Sequence, residues 1–358
     1  MFIINNLIRA VNPFSMIKTI PNFFDFLALI FINKTNPLNN KSVFTDRTDA
    51  IKQFKPHYER AILPHVQKFE QNRIAALLKF KYRLTIAAPL SIVVIVCATS
   101  LNILLPEALK VIFYTSVFII SGLSCWTARP ISWYETSVKS TIFPAIFSFF
   151  GDDFQYNHQS ARSVQSLQPS NILPDYNNEY TEDYVKGSYK GVSIELFEAT
   201  LEHKTKSSAP PVFKGVFILL GMNKKFSSKT IIKKDSGFLG NWIEDKMNGL
   251  SNVRLEDPIF EKRFQVYSSD QVEARYLLTT SFMERLLSLG DLLSCSNLQC
   301  SFYDNQILLM LPSDLNRFET GSIFQPSTFS DEIHTILSQM DETFGMIDEL
   351  KLDQRTGL

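Results

Sequence analysis

The chain has 358 residues, 45% of them hydrophobic, with 36 acidic side chains against 36 basic ones. That balance leaves no field to draw it to nucleic acid or to an acidic substrate. Its four cysteines are too few for a disulfide framework at this length and suit a reduced, cytoplasmic setting.

Residues 1–43 form an apolar segment with Asn, Lys and Pro interspersed. Its most apolar piece, residues 23–32 (FFDFLALIFI), carries Asp25 and is too short to cross a bilayer. No basic residue lies immediately upstream and no A-x-A-like site follows, which argues against a cleaved signal peptide. Two readings stay open: an interfacial helix on the inner leaflet, or a helix packed against the rest of the protein.

Residues 44–83 predict amphipathic juxtamembrane helices. Ile51, Phe54, Tyr58, Ile62, Val66, Phe69, Ile74 and Leu77 recur near the 3.6-residue period, while Lys52, Glu59, Arg60, Lys68 and Glu70 fill the other faces. Pro56 and Pro64 predict a break or kink.

Residues 84–128 predict a transmembrane hairpin. Two runs without charge, 84–105 and 111–128, are separated by Pro106, Glu107 and Lys110. At about 1.5 Å per residue the first reaches roughly 33 Å, enough for a hydrocarbon core of about 30 Å. Its apolar side chains sum to roughly −4 to −7 kcal/mol of insertion energy before Pro89, Asn102 and the hydroxyls are subtracted. Arg73, Lys79, Lys81 and Arg83 precede the first run, and Arg129 and Lys139 follow the second. The positive-inside rule then puts both flanks in the cytoplasm and the 105–109 turn outside. Trp126, Trp133 and Tyr134 suit the headgroup belt of that inner face.

Residues 129–183 predict an interfacial helix over 133–150, then a polar linker rich in Asn, Gln, Ser and Asp over 155–183. Residues 184–358 suffice for one independent cytoplasmic domain. Strands are predicted around Val192–Leu196, over 212–220, 230–232 and 253–255, and at 264–267. Asp270 with Glu273 resembles a capping box, and Ser281 with Glu284 a second, which puts Phe282, Leu286, Leu289 and Leu293 on one apolar helix face. Cys300–Tyr303 and Ile307–Leu311 flank Asp304-Asn305 as a hairpin. A closing helix runs from Asp331 to Leu350. The fold class is therefore α+β: a two-helix transmembrane hairpin with amphipathic flanking helices, then a soluble antiparallel-sheet domain with C-terminal helices.

The densest charged pattern lies at 253–279. Within it LEDPIFEKRFQVYSSDQVEARYLLT, followed by SFMERLLSL, resembles a bacterial membrane-protein family, domain of unknown function three-one-three-seven. YKGVSIELFEATLEHK and VFKGVFILLGMNKKFSSKT are similar to the same family's strands, and the likeness spans roughly 45–358. It implies a bacterial membrane protein with a hydrophobic hairpin ahead of the domain, and with the orientation from the positive-inside rule the expectation is a two-pass protein of the plasma membrane with both termini cytoplasmic; the family carries no established activity to transfer. Physically, Asp257 and Pro258 suit a helix start, with Ile259, Phe260, Phe264 and Val266 as core. Glu261, Lys262, Arg263, Glu273 and Arg275 suit ion pairs at one strand–helix junction. The alternatives are an anion-binding site with Arg263 and Arg275 as clamps, whose guanidinium forks fit phosphate or carboxylate, an inner-leaflet ligand pocket lined by Arg263, Asp270 and Arg275, and a metal cluster of Glu256, Asp257 and Asp270.

Catalytic signatures are missing. His57, His65, His158, His203 and His334 are scattered, and neither a P-loop nor G-x-G-x-x-G occurs. Cys295 and Cys300 have no second pair with which to build a zinc site. No cofactor or metal is expected, and an enzyme is not the first reading. Lys224, Lys225, Lys229, Lys233 and Lys234 form a basic cluster that fits either a solvated strand edge or anionic lipid. The expected partners are the lipid bilayer, together with a protein or anionic lipid, and no nucleic acid. The leading reading is a membrane-tethered binding or scaffold module. The others are an inner-leaflet enzyme and a subunit of an oligomeric transport complex.

Overall fold

The computed structural model of the chain describes residues 49–104, 106–159, 162–203, 211–221, 227–234, 249–292, 297–313, 318, 323, 324, 326 and 328–349. The apolar segment 1–43, Lys224, Lys225, Leu293, Cys295 and Leu350 lie outside them. Two compact units divide the chain. One holds Pro56–Ile142 and part of Thr320–Ser330; the other holds Arg47–Lys55, Phe143–Glu319 and the stretch from Asp331.

The first unit is built on long helices. Helix α1 (Asp49–His57), most of which belongs to the second unit, leads through a π-helical turn, Tyr58–Ile62, into α2 (Leu63–Leu104). Neither proline ends a helix: Pro56 lies within α1, Pro64 is the second residue of α2, and the π turn falls between them. The predicted apolar face is largely the buried one: Phe54, Tyr58, Ile62, Val66, Phe69 and Leu77 are each 5% exposed or less. Ile74 is only half-buried, and the neighbouring Arg73 occupies the sealed position instead. A short 3-10 turn, Pro106–Ala108, connects α2 to α3 (Leu109–Phe147).

Helix α3 corrects one expectation. Residues 133–147 do not form a separate interfacial helix. They continue the second apolar run, with Tyr134, Val138, Ile142, Phe143, Ile146 and Phe147 all buried.

The second unit is a mixed-order, wholly antiparallel sheet. Its strands are β1 (Gln155–Gln159), β2 (Asn178–Tyr189), β3 (Val192–Glu202), β4 (Phe213–Gly221), β5 (Thr230–Lys234), β6 (Ser251–Val253), β7 (Phe264–Ser268), β8 (Gln299–Tyr303) and β9 (Gln306–Pro312). They lie in the order β1-β2-β3-β4-β9-β8-β5-β7-β6. Asp304 and Asn305 turn the β8–β9 hairpin with φ of 46° and 56°, the left-handed conformation such tight turns require. Lys190 and Gly191 do the same between β2 and β3.

The polar stretch 155–183 is not a linker. It contributes β1, the start of β2, and a 3-10 turn, Val164–Ser170, whose Val164 and Leu167 are fully buried against Phe197, Phe217 and Leu308. Among the described residues, helices α4 (Pro258–Arg263), α5 (Gln271–Leu277), α6 (Thr280–Leu292) and α7 (Ser330–Glu349) accompany the sheet. Phe282 of α6 meets Phe302 of β8 at 5.6 Å between ring centroids. The start of α6 is set by Thr279, whose hydroxyl accepts from the Phe282 amide at 3.2 Å, and not by Ser281.

Candidate functional site

Beyond Ala87 on α2 and before Thr127 on α3, large apolar side chains face outward. Ile103 is 82% exposed, Phe118 78% and Ile92 62%. Helices of a soluble core would bury such residues, and contiguous exposed apolar surface of this extent marks an interaction surface. Both helices are long and apolar enough to cross a membrane. Several hydroxyls on these stretches bond to the helix's own backbone. Thr99 donates to the Val96 carbonyl, Ser116 to Ile112 and Ser124 to Ile120. Such back-bonding removes the need for water. Where the exposed run ends, Arg83 of α2 donates to the Trp126 carbonyl of α3 at 2.7 Å, and its guanidinium lies 5.0 Å from the indole centroid.

A second feature is an acidic cluster within the sheet. Glu182 of β2 sits opposite Glu198 of β3, and the register shifts between Glu182 and Val185. Asp183 fills that bulge at φ 55°. In an even strand, residues 182 and 183 would point to opposite faces. The bulge instead gathers one carboxylate oxygen from each of Glu182, Asp183 and Glu198 within 4.8 Å. Asp183 and Glu198 are buried while Glu182 is exposed.

Tyr156 of β1 donates its phenol proton to Asp183, and the Phe318 amide donates to Glu198 at 3.2 Å. Burial first, then the charge of Asp183 and the bond to it, then Glu198 and Glu182, hold the phenol far above its ordinary value. Three hard oxygens in this arrangement can accept a divalent cation or a chain of protons. Reading 155–183 as a linker hid the cluster from the sequence. The signal was the β-forming Tyr180, Thr181, Tyr184 and Val185 around Glu182 and Asp183.

The sequence-derived residues sit elsewhere. Arg263 pairs with Asp291 of α6 at 2.7 Å. Exposed Asp270 caps α5, accepting from the Val272 and Glu273 amides at 2.8 and 3.1 Å. Arg275 is exposed on α5. Glu273 does not close a capping box; its carboxylate reaches across to the Ser227 and Ser228 amides. Glu261 accepts from the Leu255 amide at 2.6 Å; among the described residues only Arg263 of the predicted charges forms an ion pair, and its partner is a different one. Asp257 caps α4 with Pro258 in the first turn, as expected, but Ile259 is 66% exposed and not core.

These features define a class: a chain with two long apolar helices followed by an antiparallel α+β domain, with no established chemistry at its polar clusters. Residues 211–352 match the family model described as Protein of unknown function (DUF3137). The match is narrower than the stretch 45–358 that the motif likeness spans. No curated protein and no solved structure matches the chain.

Proposed function

We propose that this protein is an integral membrane protein whose α2–α3 hairpin tethers the α+β domain as a binding or scaffold module at one face of the bilayer. The observation that carries the reading is the outward-facing apolar surface of residues 88–104 and 109–126, flanked by the basic residues Lys79, Arg83 and Arg129. Lipid is the solvent that such a surface requires, because in water it would cost about 25 cal/mol for each Å² exposed. The basic flanks support a cytoplasmic position for both ends of the hairpin. The family likeness supports a bacterial plasma membrane.

The test is fractionation of the full chain after lysis. Retention in the pellet through an alkaline carbonate wash, with release only by detergent, is the expected result. Recovery in the soluble fraction without detergent would overturn the tether and its topology together.

A further inference from the structure

We infer that the level of the Arg83–Trp126 contact is a recognition belt for anionic phospholipid headgroups. This rests on the membrane reading above and names the partner it implies. The contact links α2 and α3 at one height, so residues one turn away on each helix share a plane. Lys79 lies four residues before Arg83, about 6 Å along the axis, and Arg129 three residues after Trp126, about 4.5 Å, so each stands about one turn from the contact. A headgroup layer occupies about that depth beyond the hydrocarbon core.

Three observations favour anionic headgroups as the occupant. Lys79 and Arg129 are exposed and have no ion-pair or hydrogen-bond partner among the described residues. No Asp or Glu occurs in 71–104 or 109–134; the carboxylates that bound these stretches are Glu70, which is paired with Arg73, and Glu135, six residues beyond Arg129. Tyr82, Trp126 and Trp133 are 67%, 38% and 61% exposed beside these cations, the amphipathic side chains that settle at a headgroup boundary. Arg83 is engaged by the indole and the carbonyl, so it holds the two helices at one height and leaves Lys79 and Arg129 to meet phosphate. Each such basic residue near an anionic surface contributes about 1 kcal/mol, roughly a fivefold preference.

Brominated-lipid quenching tests this. The full chain with Trp242→Phe, which leaves Trp126 and Trp133 as emitters, is reconstituted in phosphatidylcholine bilayers at low salt. Brominated phosphatidylglycerol or brominated phosphatidylcholine is then added at equal mole fraction. Stronger quenching by the anionic lipid is expected, equivalent to at least about threefold relative affinity. It should fall toward parity in Lys79→Gln/Arg129→Gln, with quenching by brominated phosphatidylcholine unchanged. Equal quenching by both lipids in the parent chain, or an anionic preference that survives in the double variant, would overturn the belt and leave the tether standing. No quenching by either lipid would overturn both.

Discussion

Arg73 and Glu70, one turn apart on α2, form a bidentate ion pair sealed from water. Nε donates to Oε2 at 2.8 Å and Nη2 to Oε1 at 2.7 Å, and Arg73 has no exposed surface. Nη1 donates to the Ile323 carbonyl at 2.7 Å, so the guanidinium also fastens the chain around Phe324 and Phe329 onto this helix. The rings agree: Phe69 meets Phe329 and Phe80 meets Phe324, each at 6.3 Å and edge-on.

Breaking a buried pair from one side strands the other charge. Arg73→Met should therefore cost about 3–5 kcal/mol, read as a fall in the thermal midpoint of the detergent-solubilised protein. Replacing both partners, Glu70→Leu with Arg73→Met, should recover most of that and leave about 1–3 kcal/mol for the orphaned Ile323 carbonyl. A double variant as unstable as the single one would contradict this account.

At Gly215 the backbones of β4 and β9 come so close that a Cβ would stand 2.1 Å from the Leu311 carbonyl oxygen. Gly215→Ala should lose about 1–3 kcal/mol or more from strand displacement, measured by denaturant titration of the domain's circular dichroism. This is the glycine of the F-K-G strand, and close approach is a physical reason for it.

Tyr156 should stay protonated in the folded protein at every pH at which the fold survives. Its unfolded value is near 10 and its folded value is higher, so its contribution is complete below pH 10 and lost as the pH rises beyond it. Tyr156→Phe should cost about 1–3 kcal/mol at pH 7 by removing the donor to Asp183. The same variant should unfold less steeply between pH 10 and 11 than the parent, followed by fluorescence. An identical alkaline profile would show that the phenol is not the titrating group.

The Arg263–Asp291 pair titrates in the other direction. Its hydrogen bond holds Asp291 below the ordinary 3.8, so its support is present above that value and fades as the pH falls through the lower folded one. Asp291 is 65% exposed, and screening reduces the pair to under about 1 kcal/mol. Asp291→Asn should thus shift stability slightly at pH 7 and not at all near pH 2, as checked by thermal melts at both.

Local chemistry made several elements legible in advance. The Asp304-Asn305 hairpin, the Asp257-Pro258 and Asp270 helix starts and the 3.6-period face from Phe54 to Leu77 each need only neighbours a few residues away. The bulge at Asp183, the partner of Arg263 and the buried Arg73 were not legible, since each depends on a strand or helix far along the chain. The polar stretch 155–183 reads as a linker because its burial comes from β3, β4 and β9 packing on Val164 and Leu167, not from its own composition.

By itself, then, the order of residues determined the two uncharged apolar runs and the antiparallel strand-forming segments that follow, because hydropathy and turn chemistry act over a few residues. Tertiary structure alone decided which charges meet. A carboxylate's partner is chosen by distance in space, and Glu182, Asp183 and Glu198 become one cluster only when a register shift turns two neighbours to the same side.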